Sequence, residues 1–286
     1  MMSVATSCPH AFVAGWPITH SRSPLVHNYW LKELGIDGSY QAVAIEPEKI
    51  VAFLGGLGKS AEFVGGNVTI PHKEAAYHCC AHHSDEARRL KAVNTVWLQN
   101  GLLYGDNTDG HGFVANMDDQ APGWDKTDGI AVIFGAGGAA RAILLALEGR
   151  GFKTIRIVNR TPARATRMAL ELGISAEVFS VDKLQAAISG AGIFINTTSL
   201  GMTGQPALEI DLSALAPGAI VNDIVYSPLE TKLLAAARRS GFMAVDGLGM
   251  LLHQAVPGFE HWFGQKPIVN NALRELVVQN LGAKQC

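Results

Sequence analysis

Charge, cysteine and uninterrupted apolar sequence are all scarce in this chain, and each scarcity excludes a class of protein. Charged residues fill 17% of the 286 positions, with Lys plus Arg at 23 nearly balancing Asp plus Glu at 25. The net charge of −2 gives no general attraction to nucleic acid or to an anionic membrane, so an electropositive site must be local. The five tryptophans show no spacing for stacking successive bases, and no nucleic-acid partner is expected. No uninterrupted apolar run approaches the roughly 20 residues that span a bilayer, so no membrane partner is expected either. Residues 1–10 lack the basic start and long apolar stretch of a secretion signal. Four cysteines in so long a chain, two of them adjacent, do not make a disulfide framework. Hydrophobic residues, by contrast, reach 48%, enough for a real core. The expectation is a soluble, reduced, cytoplasmic protein of one large or two modest domains.

Short β-rich runs alternate with helical stretches. Strands are expected over 11–15, 40–45, 64–70 and 92–98, and helices over 24–34 and 47–57. From residue 130 the pattern tightens, with strands expected over 130–134, 154–158, 177–179, 192–196, 219–224 and 242–245. Most of these runs are apolar without alternation, as in parallel strands buried on both faces. Helical segments separate most of them, which indicates βαβ units. The polar, turn-rich stretch 117–128 (MDDQAPGWDKTD) reads as a junction between two domains.

The strongest local signal follows the strand at 130–134. Gly135, Gly137 and Ala140 fill a G-x-G-x-x-G/A pattern ahead of a helical run over 140–147. The first glycine allows a tight turn, the second lets a pyrophosphate approach the backbone, and the small third residue lets helix pack on strand. The helix N-terminus then offers N–H donors and a positive dipole to the phosphates. An NAD site would place an acid about 20 residues further on, to bind the ribose 2′-hydroxyl. Here the next strand ends in Asn159, Arg160, Thr161, Pro162, Ala163 and Arg164. These donors and positive charges suit a 2′-phosphate, so NADP is preferred over NAD.

Three segments nearer the start carry unusual chemistry. Ser21 and Ser23 flank Arg22 just before Pro24 at a helix start. Two hydroxyls one residue apart could bind a carboxylate or a polyol, although taken alone Ser23 reads better as a helix cap. Asn67-Val68-Thr69-Ile70-Pro71-His72-Lys73 places a lysine just past a strand end, where it could act as a general acid. Ala92-Val93-Asn94-Thr95 and Gly105-Asp106-Asn107-Thr108-Asp109-Gly110 sit at strand and turn ends, and the second has the composition of a plain turn.

In combination these motifs resemble one family. The order S-x-S-P, N-V-T-x-P-x-K, A-V-N-T, G-D-N-T-D-G, G-A-G-G-A, N-R-T and D-G-L-G-M-L-x-x-Q is similar to that of shikimate dehydrogenases, from about residue 11 to 262. The resemblance implies an α/β protein with an N-terminal α/β substrate domain and a Rossmann-like, parallel-sheet domain that binds NADP. The expected boundaries are 1–111 with 252–286 for the first and 112–251 for the second. It implies reversible NADPH-dependent reduction of 3-dehydroshikimate to shikimate, with a relative acting on quinate or an aminated analogue as the alternative. Carried over by position, Lys73 and Asp109 are the catalytic pair. Ser21, Ser23, Thr69, Asn94, Asp109, Tyr226 and Gln254 contact the substrate. Gly135, Ala136, Gly137, Gly138, Ala139, Asn159, Arg160, Thr161, Arg164 and Thr198 match cofactor positions, with Ile224, Gly247 and Met250 beside the nicotinamide. Asp85 falls at a further cofactor position, in a stretch that departs from the family's motifs.

His78, Cys79, Cys80, His82 and His83 would share helix faces at i, i+4 spacing, a pattern that could hold zinc. Nothing obvious elsewhere completes a four-ligand site, the family chemistry uses no metal, and a helix with buried cysteines and exposed histidines is expected instead. A small-molecule substrate is the expected partner, and a homodimer is left open.

Overall fold

The computed structural model describes residues 8–59, 62–126 and 129–283. The described residues up to Thr108, together with Gln254–Val277, form one compact unit; Asp109–His253 and the described residues beyond Val277 form another. Each is built on its own six-stranded sheet.

The first unit runs β1 (His10–Gly15), α1 (Ser23–Glu33), β2 (Ser39–Ala44), α2 (Ile50–Gly56), β3 (Gly65–Val68), α3 (Lys73–Cys79), β4 (His82–His83), α4 (Asp85–Leu90), β5 (Thr95–Gln99) and β6 (Leu102–Asp106). Its sheet has the order β2-β1-β3-β5-β6-β4. β1 pairs in parallel with β2 and β3, whereas β5 is antiparallel to both β3 and β6. Successive strand residues face opposite sides of a sheet, and in β1 both sides are covered. Phe12 and Ala14 join the cluster of Ile50, Leu54, Phe63 and Val68, while Ala11 and Val13 pack with Ile18, Tyr40 and Trp262. Two-sided burial explains a strand without polar alternation.

The second unit runs α5 (Asp109–Gln120), β7 (Ile130–Phe134), α6 (Gly138–Gly149), β8 (Thr154–Val158), α7 (Pro162–Leu172), β9 (Glu177–Phe179), α8 (Leu184–Ile188), β10 (Ala191–Asn196), β11 (Ile220–Asp223), α9 (Lys232–Arg239), β12 (Met243–Val245) and α10 (Leu248–His253). All its strand pairs are parallel, in the order β12-β11-β10-β7-β8-β9. Counted from β7, this is the doubly wound order 3-2-1-4-5-6 read from the β9 edge, which reverses between β7 and β10. Helices α11 (Val256–Phe263) and α12 (Asn271–Ala283) complete the chain.

Several expectations need correction. The helix expected over 47–57 is a 3-10 turn at Pro47–Lys49 followed by α2. The strand expected over 64–70 stops at Val68, and the one expected over 92–98 starts at Thr95, so Thr69 and Asn94 stand just outside their strands. A hairpin was not foreseen: Asn100 and Gly101 take φ of 54° and 76° and join β5 to β6. Asn-Gly between apolar runs is a strong hairpin signal. The stretch 117–126 lies inside the second unit. Its first residues finish α5, Trp124 is buried against Phe113, and Arg150 pairs with Asp118 and Asp125 at 2.5 Å each. Thr127 and Asp128 fall outside the described residues.

Candidate functional site

In the first unit the candidate residues gather along one edge of the sheet. Asn67 of β3 stands opposite Thr95 of β5, which stands opposite Asp106 of β6. Residues following β1, β3 and β6 and those preceding β5 therefore emerge together. Ser21 and Ser23 lie between β1 and the start of α1, Thr69 follows β3, Lys73 opens α3, and Asn94 precedes β5.

The segment that carries Lys73 is tied down on both sides. The His72 ring is buried, with Nε2 donating to the Ile45 carbonyl at 2.7 Å, which requires the proton on that nitrogen. The backbone N–H of Val93 donates to the Lys73 carbonyl at 2.9 Å. Thr69 donates its N–H to the Ala14 carbonyl at 2.9 Å. Ser23 does not cap α1: the position before the helix is Arg22, and the Ser21 hydroxyl accepts the Ser23 N–H at 3.3 Å. Ser21 thus takes one of the orphan N–H groups at the helix start.

A buried network joins Asn94 to Gln254. The Thr108 hydroxyl donates to the Gln254 carbonyl at 2.8 Å, and the Thr108 N–H donates to Asn94 Oδ1 at 2.9 Å. Asn94 Nδ2 donates to Gln254 Oε1 at 3.4 Å. Asp85 is elsewhere, exposed at the start of α4 and paired with Arg88. The His/Cys cluster does not share a helix: α3 ends at Cys79, and His82 and His83 form β4. Burial pushes the Cys80 thiol up to about 12, so it stays protonated at neutral pH.

In the second unit every expected cofactor residue, and the expected substrate residue Tyr226, lies past the C-terminal end of a strand. Gly135 to Ala139 follow β7, Asn159 to Arg164 follow β8, Thr198 follows β10, Ile224 and Tyr226 follow β11, and Gly247 and Met250 follow β12. Ligands of doubly wound sheets bind along this edge, at the point where strand order reverses. Gly135 has φ of 119°, and a Cβ there would lie 2.5 Å from Thr197 Oγ1. At Gly137 and Gly138 a Cβ would meet nothing within 4 Å, so the backbone there is open to a large group. The helix begins at Gly138 rather than at the expected residue 140, which places its first N–H groups inside the glycine loop. Arg160 and Arg164 are exposed, and neither forms an ion pair among the described residues. No carboxylate follows β8 to compete for a 2′-phosphate. The loop and the two guanidinium groups fit NADP.

Support behind this edge went unread in the sequence. The Asn196 amide donates to Asp223 Oδ1 at 2.8 Å and its Oδ1 accepts the Thr198 hydroxyl at 2.8 Å. Burial raises the Asp223 carboxyl above its ordinary range, against hydrogen bonds from Thr231, Val225 and Asn196. Gly247 approaches so closely that a Cβ would stand 2.1 Å from the Ile224 carbonyl oxygen. Asp109 opens α5 directly after Thr108, and Tyr226 is half-buried past β11. A polar residue inside an apolar strand, such as Asn67 or Asn196, is the signal that could have revealed these supports.

Comparison with known proteins matches most of the chain to one family. Models of the shikimate dehydrogenase substrate-binding domain, of shikimate / quinate 5-dehydrogenase and of the shikimate 5′-dehydrogenase C-terminal domain match residues 13–96, 123–203 and 247–269. A protein of Rhizobium meliloti named shikimate dehydrogenase (NADP(+)) is 53% identical over 95% of both chains. Shikimate 5-dehydrogenase from Listeria monocytogenes, solved with shikimate and NAD, superimposes with a TM-score of 0.87 at 30% identity, over 97% of this chain and 99% of that one. The enzyme from Thermus thermophilus, solved with NADP(H) and shikimate, gives 0.83 at 33% identity, over 96% and 99%.

Proposed function

The chain belongs to the shikimate dehydrogenase family, and from that premise we propose how its own residues carry the reaction. The activity is reversible, NADPH-dependent reduction of 3-dehydroshikimate to shikimate, with NADP as the cofactor. In the direction of reduction NADPH supplies a hydride to the ring carbonyl carbon. Lys73, as the ammonium, gives its proton to the carbonyl oxygen as negative charge develops there, and is reprotonated from solvent. The products are the secondary alcohol and NADP⁺. Asp109 hydrogen-bonds the ring hydroxyls. Ser21 and Ser23 donate to the substrate carboxylate, while Thr69, Asn94, Tyr226 and Gln254 fix the remaining oxygens. Gly135 to Ala139 cradle the pyrophosphate, and Asn159, Arg160, Thr161 and Arg164 take the 2′-phosphate. Thr198, Ile224, Gly247 and Met250 line the nicotinamide side. The exposed Asp85, already paired with Arg88, is the least supported of these contacts. The cytoplasm is the compartment this reading assigns.

The observation that carries the reading is the donor set at the first unit's sheet edge, Lys73 with the linked amides Asn94 and Gln254, in a chain whose second unit holds the glycine loop. The test is turnover of shikimate and of quinate, each with NADP⁺ and with NAD⁺, followed by absorbance of the reduced nicotinamide. Shikimate with NADP⁺ is expected to dominate. Faster turnover of quinate, or a preference for NAD⁺, would move the chain to a different branch of the family.

A further inference from the structure

Asn67 opens the N-V-T-I-P-H-K motif, yet none of the roles above uses it. It is buried, at 5% exposure, and both ends of its amide are engaged. Its Nδ2 donates to the Asn94 carbonyl at 3.1 Å and to Thr95 Oγ1 at 3.2 Å, and its Oδ1 accepts the Tyr40 hydroxyl at 2.6 Å. A main-chain carbonyl can only accept, so the atom facing Asn94 must be the NH₂, and the other end must be the oxygen. Burial raises the Tyr40 phenol well above its ordinary range, so it remains a donor.

The same logic passes to Asn94. The Thr108 backbone N–H can only donate, and it meets one end of the Asn94 side chain at 2.9 Å, so that end is the oxygen. The Thr108 hydroxyl has a single proton, and the Gln254 carbonyl at 2.8 Å can only accept it. The Thr95 hydroxyl, held from behind by Asn67, is then the one that donates to Asn94 Oδ1, at 2.9 Å. With its oxygen turned inward, Asn94 presents NH₂ on the side of Gln254 Oε1.

We propose that Asn67 and Thr95 are positioning residues that lock Asn94 as a hydrogen-bond donor, so that this corner of the site selects an oxygen able to accept, a ring hydroxyl or keto oxygen. The proposal deepens the functional reading above and rests on it. Asn67 needs no contact with substrate; it acts by fixing which end of another amide faces the ligand.

The experiment compares kcat/KM for shikimate, the NADPH dissociation constant and Tm in five variants. Asn94→Ala tests whether the corner is used at all: unchanged kcat/KM would sink the functional reading of Asn94, and this proposal with it. Thr95→Val keeps the shape and removes the hydroxyl. It should lower kcat/KM about 10-fold, through the KM for shikimate, with NADPH affinity within about 2-fold. Thr95→Ser should restore the loss. Asn67→Leu should cost about 10- to 100-fold in the same parameter. Asn94→Asp, which offers only acceptors once ionised, should do no better than Asn94→Ala. If Asn94→Ala is impaired but Asn94→Asp retains activity, the donor assignment fails while the functional reading stands. Losses in Thr95→Val and Asn67→Leu that track Tm, with NADPH affinity falling in parallel, would make both residues merely structural and overturn the proposal.

Discussion

The two units solve the same problem, holding a small polar ligand at a sheet edge, with different materials. In the first unit the candidate groups are side chains: Lys73 follows His72, whose ring is tied to the Ile45 carbonyl, and Asn94 is held by Thr95 and Thr108. In the second, much of the site is backbone, made accessible where side chains are missing, at Gly137 and Gly138, and packed closely at Gly247 against Ile224. Side-chain sites can distinguish donors from acceptors, atom by atom, which a densely hydroxylated substrate requires. Backbone sites suit phosphate, which needs several N–H groups converging on one charge.

That contrast can be broken first at Lys73. Lys73→Ala should lower kcat by about 10²- to 10⁴-fold and leave NADPH affinity nearly intact, read by steady-state kinetics beside a binding titration. A fully active variant would remove Lys73 from the mechanism. The reciprocal test lies past β8. Replacing Arg160 and Arg164 together by Ala should weaken NADP binding by about 10- to 100-fold and NAD binding little. Equal losses for both cofactors would end the 2′-phosphate argument.

Gly247→Ala sharpens the backbone half. Its Cβ would sit 2.1 Å from the Ile224 carbonyl oxygen, and relieving that clash costs about 1–3 kcal/mol. Cofactor affinity should fall while the first unit's residues are untouched; calorimetry with NADPH is the check, and unchanged affinity would exclude Gly247 from that site.

The smallest expected effect concerns the support of the first unit. His27 is fully buried, stacked on Tyr40 at 4.0 Å, and among the described residues neither ring nitrogen has a hydrogen-bond partner. Burial lowers its pKa to about 3. The unfolded chain takes up this proton near pH 6.5 and the folded one does not. Stability from the neutral ring is therefore present above about pH 6.5 and lost as pH falls toward about 3, at up to about 1.4 kcal/mol per unit. His27→Phe should flatten the acid side of the stability curve and hold Tm at neutral pH. An unchanged acid limb in urea titrations would show that His27 does not govern it.

The motifs made the second unit easy to read, because its chemistry is local. Gly135, Gly137 and Ala140 lie within one turn, and Arg160 follows on the next strand end. The apolar runs at 130–134 and 154–158 became strands with those bounds. The first unit was legible as a set of motifs but not as a mechanism. Lys73, Asn94 and the two serines were identifiable, yet Ser23 was misread as a cap because the helix starts at Ser23 itself, with Arg22 in the cap position. The cysteine and histidine cluster failed for a related reason. Helical spacing assumes that the helix continues, and the pairing of His82 and His83 with Tyr104 and Gly105 in β6 ends it.

By itself the amino-acid sequence determined the α/β class, the phosphate loop with its guanidinium groups, and the family whose motif order it carries, since each depends on residues close together or on their order. Tertiary structure alone decided which way each buried amide is turned. That choice depends on the Asn94 carbonyl, the Thr108 N–H and the Tyr40 hydroxyl. Those groups come from strands and turns far apart in the chain, and only folding brings donor to acceptor.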